Sequence, residues 1–219
     1  MDWDLARSSL GPLLGGAITG TIPLTLASFA VGLVIALVVA LMRLSRSRVA
    51  SGAARAYVSI IRGTPLLVQL FVIFYGLPSI GLLVDPWPSA IAAFSINVGG
   101  YGAEIVRAAI LSVPKGQWEA AHVIGMSPNI ALRRIILPQA ARVSVPPLSN
   151  TFISLVKDTS LASLILVTEL FRQTQEIAAF TGEFMILYLE AAAVYWVICL
   201  GLAAVQNRLE KRLDRYVAH

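Results

Sequence analysis

Five long apolar stretches constrain the fold of this chain more than any other feature of its sequence. The first, residues 17–42, contains no charged side chain, and a helix of roughly 20 apolar residues is long enough to cross about 30 Å of hydrocarbon. We therefore predict an all-α membrane protein in which a single transmembrane domain, residues 1–219, contains five transmembrane helices. Their approximate bounds are 19–42, 57–82, 87–109, 143–167 and 184–206.

Composition supports a membrane protein and argues against two other classes. Hydrophobic residues make up 57% of the chain and charged residues only 13%, whereas soluble domains carry about 25% charged residues. The basic residues behind the net charge of +5 fall in short loops beside apolar stretches, so they indicate membrane orientation, and no nucleic-acid partner is expected. Cys199 is the single cysteine, which excludes an intrachain disulfide.

Basic residues concentrate on one side of the predicted membrane. They lie between the first and second spans, between the third and fourth, and after the fifth: Arg43, Arg46, Arg48, Arg55, Arg62, Arg107, Lys115, Arg133, Arg134, Arg142, Arg208, Lys211, Arg212 and Arg215. The other side has only Arg7 and Arg172, together with six carboxylates: Asp2, Asp4, Asp85, Glu169, Glu176 and Glu183. Because cytoplasmic loops carry the excess of Lys and Arg, we predict the N-terminus outside and the C-terminus in the cytoplasm.

A polar segment, residues 115–138, separates the third and fourth spans. Helix formers follow a proline, a glycine can end that first short helix, and a Ser-Pro pair can start a second helix that is expected to stop near Pro138. Such a helix-turn-helix on the cytoplasmic face either docks onto a partner protein or lies among lipid headgroups, and its chemistry alone favours neither. The residues concerned are Pro114, Glu119, Ala120, Ala121, Gly125, Ser127, Pro128, Arg133 and Arg134.

The spacing of this segment resembles a known signature. Glu119-Ala120-Ala121, then Gly125, then Ile135, Leu137 and Pro138, is similar to the EAA motif of ABC importer permeases. "RGTPLLVQLFVIFYGLP" and "SNTFISLVKDTSL" resemble the polar amino-acid uptake branch of that family. "LPQAARVSVPPLSNTFISLVKDTSLAS" and "ELFRQTQ" are most similar to bacterial L-cystine importer permeases. The resemblance covers nearly the whole chain.

The resemblance implies a multi-pass permease of an ATP-driven importer in the bacterial plasma (inner) membrane. Its substrates would be polar or neutral amino acids, L-cystine first, with glutamine or arginine as alternatives, moved by alternating access. The family's assembly implies a second permease copy, favoured as a homodimer, two cytoplasmic ATPase subunits and an extracytoplasmic solute-binding protein. No cofactor would bind this chain, since the ATPase uses ATP and Mg. The segment 115–138 would be the coupling helix that docks onto the ATPase, through Glu119, Ala120, Ala121, Gly125, Arg133 and Arg134.

Polar residues inside the fourth span are candidates for the solute site. A charge in the middle of a bilayer costs roughly 2.5–3.5 kcal/mol, and Lys157 and Asp158 lie about midway along this span. Neighbours on a helix point about 100° apart, so at least one of the two should face a wet cavity, unless each pairs with another helix and only holds the bundle. Thr151, Ser154 and Asp158 share one face. The candidate substrate-binding residues here are Asn150, Thr151, Ser154, Lys157, Asp158, Thr159 and Ser160.

The second span supplies a possible counterpart, with Arg62, Thr64 and Gln69 as further substrate-binding candidates. Pro65 removes a backbone donor, so the helix is expected to start at a hinge. Arg62 is suited to binding a carboxylate, or alternatively extends to the cytoplasmic headgroups. Thr151 stands where relatives that import cationic amino acids often have an acidic residue, which favours a neutral substrate.

Enzymes and ion-driven carriers are the competing functional classes. The sequence contains no Walker A loop, paired-His metal motif or nucleophile elbow, so no enzyme and no metal site is predicted. A proton- or sodium-driven symporter would use Asp158 or Glu190 as its coupling carboxylate, and a passive pore or assembly subunit would need neither. The EAA-like segment discriminates between them, because only an ATPase-coupled permease needs it.

Overall fold

The computed structural model describes the backbone of residues 3–214, and every regular element in that range is a helix. Asp2 and Arg215, which entered the charge prediction, lie outside the described residues. The α-helices are α1 (Trp3–Gly16), α2 (Ile22–Leu44), α3 (Arg48–Gly63), α4 (Leu66–Phe71), α5 (Pro86–Ser112), α6 (Lys115–Val123), α7 (Pro128–Ala131), α8 (Leu137–Asp158), α9 (Leu170–Thr181) and α10 (Phe184–Asp214). Two 3₁₀ helices, Leu77–Ile80 and Thr159–Ile165, follow α4 and α8.

Three π turns occur in the described chain, and each is followed at the second position by a proline. The turns are Ala17–Thr21, Val72–Gly76 and Leu132–Ile136, and the prolines are Pro23, Pro78 and Pro138. A proline lacks the backbone N–H and crowds the carbonyl four residues earlier. A π turn widens the helix at that point and relieves the crowding.

Two expectations about helix ends fail because of these turns. The second loop helix does not stop near Pro138: α7, its π turn and α8 form one helical segment that continues into the 3₁₀ turn, Pro128–Ile165. At the other end of the chain, α1 and α2 form one continuous helix, Asp4–Leu44, although the first span was expected to start near residue 19. At 1.5 Å per residue, this helix is about 60 Å long, roughly twice the thickness of the hydrocarbon core.

By length and composition, two described segments are able to cross a membrane, Asp4–Leu44 and Phe184–Arg212. Two bent pairs add at most two more: Arg48–Gly63 with Leu66–Ile80, bent by 108°, and Pro128–Ile165 with Leu170–Thr181, bent by 49°. The described residues therefore give two to four candidate spans where five were expected. The expected third span, 87–109, coincides with α5 but does not meet the same apolar criterion.

α5 is the central helix of the molecule, and its position explains its composition. It packs against α2, α3 and α8, and the Phe94 side chain is fully buried. A Cβ on Gly99 would lie 2.5 Å from Ile35 of α2, and one on Gly100 would lie 2.6 Å from Ile61 of α3. The two glycines therefore allow α2 and α3 to approach α5 closely. Because α5 faces other helices more than lipid, it needs less apolar surface than a peripheral span.

The end of the bundle opposite the polar loop is joined by a buried carboxylate. Glu169 is 0% exposed and caps the N-terminus of α9, where its side chain accepts hydrogen bonds from the backbone N–H of Phe171 (2.9 Å) and Arg172 (2.7 Å). The Tyr195 hydroxyl on α10 (2.9 Å) and the Thr21 hydroxyl (3.4 Å) donate to the same carboxylate. This acid, expected only as an outer-side charge, therefore joins three segments that are distant in sequence.

Candidate functional site

The site begins at a break between α3 and α4, where Thr64 has an extended backbone (φ −121°, ψ 145°) and Pro65 follows. Pro65 cannot donate a hydrogen bond to the carbonyl of Ile61, four residues earlier. The Gln69 side-chain amide replaces this donor, with Nε2 2.8 Å from Ile61 O and 3.1 Å from Thr64 O. The Thr64 hydroxyl donates to Ile60 O at 2.8 Å. Side chains thus satisfy carbonyls that the bend leaves without backbone partners.

A cavity with a volume of about 410 Å³ opens beside this bend, between α5 and α8. Its polar wall combines amides, hydroxyls and one carboxylate, and its apolar wall consists of aliphatic and aromatic surface. A pocket that is partly apolar and has a few convergent polar groups is typical of small-molecule sites. It is lined by Thr64, Pro65, Leu66, Asn97, Val98, Tyr101, Asn150, Thr151, Ser154, Leu155 and Asp158.

Five of the predicted substrate-binding residues line this cavity: Thr64, Asn150, Thr151, Ser154 and Asp158. Some of their polar groups already have partners in the chain. The Thr151 hydroxyl donates to Pro147 O at 3.0 Å, and Asn150 Oδ1 accepts from Gln206 of α10 at 3.0 Å. Within residues 3–214, no ion pair or hydrogen bond engages the Asp158 carboxylate. Asp158 is thus the available charge in the cavity wall.

The other predicted residues lie elsewhere. Lys157 and Ser160 line a different cavity of about 540 Å³ beside α10, together with aromatic residues such as Trp196. Thr159 is fully buried and its hydroxyl donates to Val156 O at 2.7 Å. Lys157 and Asp158 therefore occupy different faces of α8, as the 100° rotation between helical neighbours requires.

Arg62 lies at the edge of the first cavity. Its guanidinium is 5.4 Å from the centroid of the Tyr101 ring, within the range of a cation–π contact, and Tyr101 lines the cavity. Gln69 is not among the residues that line it. Both ends of its amide are engaged at the bend, where Oε1 accepts from Asn97 Nδ2 at 3.0 Å. Sequence reasoning missed Asn97 and Tyr101. The one available signal was Asn97, an isolated amide in the apolar first part of α5.

Glu104 and Arg107, three residues apart on α5, form an ion pair that a third residue joins. Arg107 Nη2 lies 3.1 Å from Glu104 Oε2, and Arg43 of α2 pairs with the same carboxylate. This cluster ties the C-terminal parts of α2 and α5 together. Glu190, the alternative coupling carboxylate, accepts a hydrogen bond from Ser9 at 2.6 Å and so joins α10 to α1.

Within the described residues, no group of three or more His, Cys, Asp or Glu is arranged to hold a metal ion.

The polar loop forms a short helix, α6, that ends in a left-handed turn. Gly125 has φ +77°, and its N–H donates to His122 O at 3.0 Å, while the N–H of Met126 donates to Ala121 O at 3.0 Å. This pair of hydrogen bonds is the Schellman motif, which favours glycine at the left-handed position. Gly125 therefore fixes the direction in which the chain leaves α6.

α6 has one buried and one exposed side. Ala121 is buried against the bundle, whereas Glu119 and Ala120 are exposed. Two apolar side chains that sequence reasoning did not single out, Val123 at 84% and Ile124 at 72% exposure, extend the same surface by the i,i+4 spacing of a helix. Arg133 and Arg134 are exposed on the following π turn. An exposed apolar ridge flanked by charges is suited to contact with a protein or a membrane surface.

Comparisons with known proteins agree on one family. The chain matches the binding-protein-dependent transport system inner membrane component family over residues 28–215. It is 59% identical over 217 residues to the L-cystine transport system permease protein TcyB of Bacillus subtilis (strain 168), covering 99% of this chain and 93% of that protein. It is 38% identical over 214 residues to the glutamine transport system permease protein GlnP of Escherichia coli (strain K12), with 97% of each chain covered.

A solved structure supports the same assignment. A chain of an amino acid ABC transporter with histidines superposes with a TM-score of 0.90 at 34% identity, covering 97% of this chain and 99% of that one. The likeness therefore extends over nearly the whole chain. This chain belongs to the binding-protein-dependent transport system inner membrane component family, the permease subunits of ABC importers.

Proposed function

We propose that this chain is the permease of an ATP-driven L-cystine importer in the bacterial plasma membrane, and that the cavity beside the α3–α4 bend is its solute site. The observation that carries the proposal is the polar wall of that cavity, which has a single carboxylate, at Asp158, among uncharged amides and hydroxyls. An amino acid brings an ammonium and a carboxylate, and the cavity offers Asp158 for the former and Arg62, at its edge, for the latter.

The size of the wall fits a substrate with separated polar groups. Thr151 and Asp158 are seven residues apart on α8, or about 10 Å at 1.5 Å per residue. L-cystine carries an amino-acid group at each end of a disulfide, so one molecule is able to contact both positions. Thr151 is uncharged, which favours a neutral substrate over arginine or lysine. The 59% identity to an L-cystine permease supports this choice over glutamine.

The chain is a transport subunit and not an enzyme, since ATP hydrolysis in this family belongs to a separate ATPase. We propose that it uses ATP and Mg only through that partner and binds no cofactor itself. The segment 115–138 would be the coupling loop, in which Glu119, Ala120, Ala121, Gly125 and the Arg133-Arg134 pair meet the ATPase. The exposed ridge of α6 with its left-handed turn supports this role.

We further propose a five-span topology with the N-terminus outside and the C-terminus in the cytoplasm. The spans would be α2, the bent α3–α4 pair, α5, α8 and α10, within a single domain of residues 1–219. Its central position lets α5 cross the membrane despite its polar content.

Five helices do not easily enclose a solute path alone, so a homodimer is expected, with two ATPases and a solute-binding protein. ATP binding would move the coupling loops and open the cavity to alternate sides.

Transport in a reconstituted system tests the proposal. Proteoliposomes containing the permease and its ATPase, supplied with the binding protein, should accumulate labelled L-cystine when ATP is present on the ATPase side. An ion gradient without ATP should give no accumulation. Uptake driven by the gradient alone would contradict the ATP-driven mechanism, and ATP-dependent uptake of labelled glutamine or arginine without uptake of L-cystine would contradict the substrate.

Selectivity provides a sharper test, because Thr151→Glu adds a carboxylate to the cavity wall. We expect the affinity for arginine relative to L-cystine to rise at least about tenfold, which corresponds to about 1.4 kcal/mol. The permease–ATPase complex is titrated directly with labelled amino acids, because the binding protein would mask the change. Thr181→Glu at the exposed end of α9 is the matched control. An unchanged preference in a folded Thr151→Glu variant would remove Thr151 from the site.

A further inference from the structure

The hydrogen bonds at the α3–α4 bend form a chain that leads from the backbone to the cavity wall. The Gln69 amide nitrogen donates to Ile61 O, Thr64 O and, at 3.0 Å, the Thr64 hydroxyl. Both backbone carbonyls are acceptors only, so the amide nitrogen must point towards them. The Gln69 oxygen must then point away from the bend, where it accepts from Asn97 Nδ2 at 3.0 Å.

Asn97 therefore holds the free end of the Gln69 amide, whose orientation the two backbone carbonyls already fix. With the Asn97 donor in place, only one of the two amide orientations satisfies every partner. Without it, the Gln69 oxygen loses its acceptor role, and nothing on α5 holds the side chain across the bend. Asn97 belongs to the close-packed central helix, whereas α3 and α4 meet at a break of 108°. The contact thus connects a rigid element to a segment that lacks a continuous backbone ladder.

Asn97 also lines the cavity, and among residues 3–214 its side-chain oxygen makes no hydrogen bond. A solute ammonium in the cavity is able to donate to this oxygen. Because hydrogen bonds in series polarise one another in a low-dielectric site, that contact strengthens the donation from Asn97 to Gln69. Occupation of the cavity and the geometry of the bend are then linked through one side chain.

We propose that Asn97 is a positioning residue for transport, which holds Gln69 and, through it, the bend that places Thr64 in the cavity wall. The inference rests on the proposed role of the cavity as the solute path. Its consequence is specific: loss of the Asn97 amide should slow the conformational cycle more than it weakens solute binding.

Uptake kinetics in the reconstituted importer test this consequence. Asn97→Leu keeps the size of the side chain and removes the amide. We expect kcat for L-cystine uptake to fall at least about tenfold and by a larger factor than KM rises, since the solute loses one hydrogen bond while the bend loses its support. Ser95→Ala is the matched control, because it removes another interhelical hydrogen bond of α5, to Ser28 O at 3.1 Å, away from the bend. A fall in kcat of similar size in the control, or none in Asn97→Leu, would overturn the proposal.

A double-mutant cycle tests whether the two amides act as a unit. If they do, combining Gln69→Leu with Asn97→Leu should reduce kcat no more than about twofold beyond the worse single variant. Losses that multiply would show independent roles and contradict the proposal. Asn97→Ser, whose side chain is too short to reach Gln69, replaces Asn97→Leu if the latter does not assemble.

Hydrogen exchange provides a readout that needs no substrate. In the permease–ATPase complex without ligand, the amides of residues 66–72 should exchange at least about tenfold faster in Asn97→Leu than in wild type, and at the wild-type rate in Ser95→Ala. Equal exchange in all three would contradict the proposal even if transport proceeds. If instead wild type fails to carry L-cystine, the proposed substrate is wrong, while the exchange experiment still decides the role of Asn97.

Discussion

At the scale of single residues, Asp158 carries the charge of the candidate site. It lies in the cavity wall, and its neighbour Lys157 faces a different cavity. An ionised group within a bilayer is retained where water, a ligand or a partner compensates its burial. Lys157 acts on this carboxylate electrostatically but forms no ion pair with it within the described residues, so a ligand ammonium in the cavity is a suitable direct partner.

Removal of this charge should affect transport more than folding. Asp158→Asn keeps the shape of the side chain but offers no charge to a substrate ammonium, so we expect L-cystine uptake to fall at least about tenfold with little change in the amount of folded protein. Glu176→Gln, which breaks the exposed ion pair with Arg172 on α9, is the control, since exposed pairs contribute only about 0–1 kcal/mol. Normal uptake by the folded Asp158→Asn fraction would make Asp158 structural.

The sequence predicted part of this cavity and missed another part for a simple reason. Thr151, Ser154 and Asp158 lie on one helix, where a spacing of three and four residues is enough to place them on one wall. Asn97 and Tyr101 enter the same cavity from α5, and no local spacing relates them to α8.

At the scale of elements, Gly125 decides how α6 ends. Its φ of +77° is a conformation that costs most other residues about 1 kcal/mol or more, and the space around a Cβ is empty. A side chain there would therefore project outward, next to the exposed ridge of Val123 and Ile124.

This geometry makes Gly125→Asp a test of docking. We expect membrane insertion to be preserved, association with the ATPase to weaken at least about tenfold, and uptake to be lost, because a carboxylate is added to the ridge. The matched control is Gly182→Asp, with φ +78° at the end of α9 and empty space around its Cβ, which imposes the same backbone strain and charge far from the loop. Co-purification with the ATPase at wild-type stoichiometry and undiminished uptake would contradict the docking role.

Prolines were a misleading signal at this scale. The expected helix end near Pro138 did not occur, and Pro23 likewise lies in a continuous helix. In both places a π turn just before the proline accommodates the absence of its backbone N–H, so the helix continues. At Pro65, by contrast, the side chains of Thr64 and Gln69 satisfy the carbonyls at the bend, and the chain does bend. Whether a helix continues or bends at a proline thus depends on how the carbonyl that lacks the proline N–H is satisfied.

At the scale of the whole molecule, close packing between distant segments fixes the end of the bundle near Glu169. A Cβ on Gly20 would lie 2.5 Å from both the Glu169 Cα and the Thr168 carbonyl oxygen, and backbone atoms cannot rotate away. Gly15, on the same long helix, has no neighbour within 4 Å of a Cβ.

The two glycines should therefore respond oppositely to the same change. Gly20→Ala should lower the free energy of unfolding by about 1–3 kcal/mol, the usual cost of overpacking. Gly15→Ala should leave it unchanged or raise it by about 0.5–1 kcal/mol, because alanine is the better helix former. Thermal unfolding of the purified protein in detergent gives both values. Equal stability of the two variants would mean that the Ala17–Thr21 turn does not pack as closely against Thr168 and Glu169 as described.

The sequence by itself determined the class of this protein. Apolar stretches dictate a helical membrane protein, because only segments with internally satisfied backbone groups are stable in hydrocarbon. The EAA-like spacing led to the ABC permease family, which the comparisons confirm. The tertiary structure decided what local pattern does not contain: that α5 is central and so less apolar than its neighbours, that Gln69 crosses a bend to reach Asn97, and that Glu169 is buried. These features depend on contacts between residues far apart in the chain, and helical periodicity describes one face of one helix without specifying which helix lies against it.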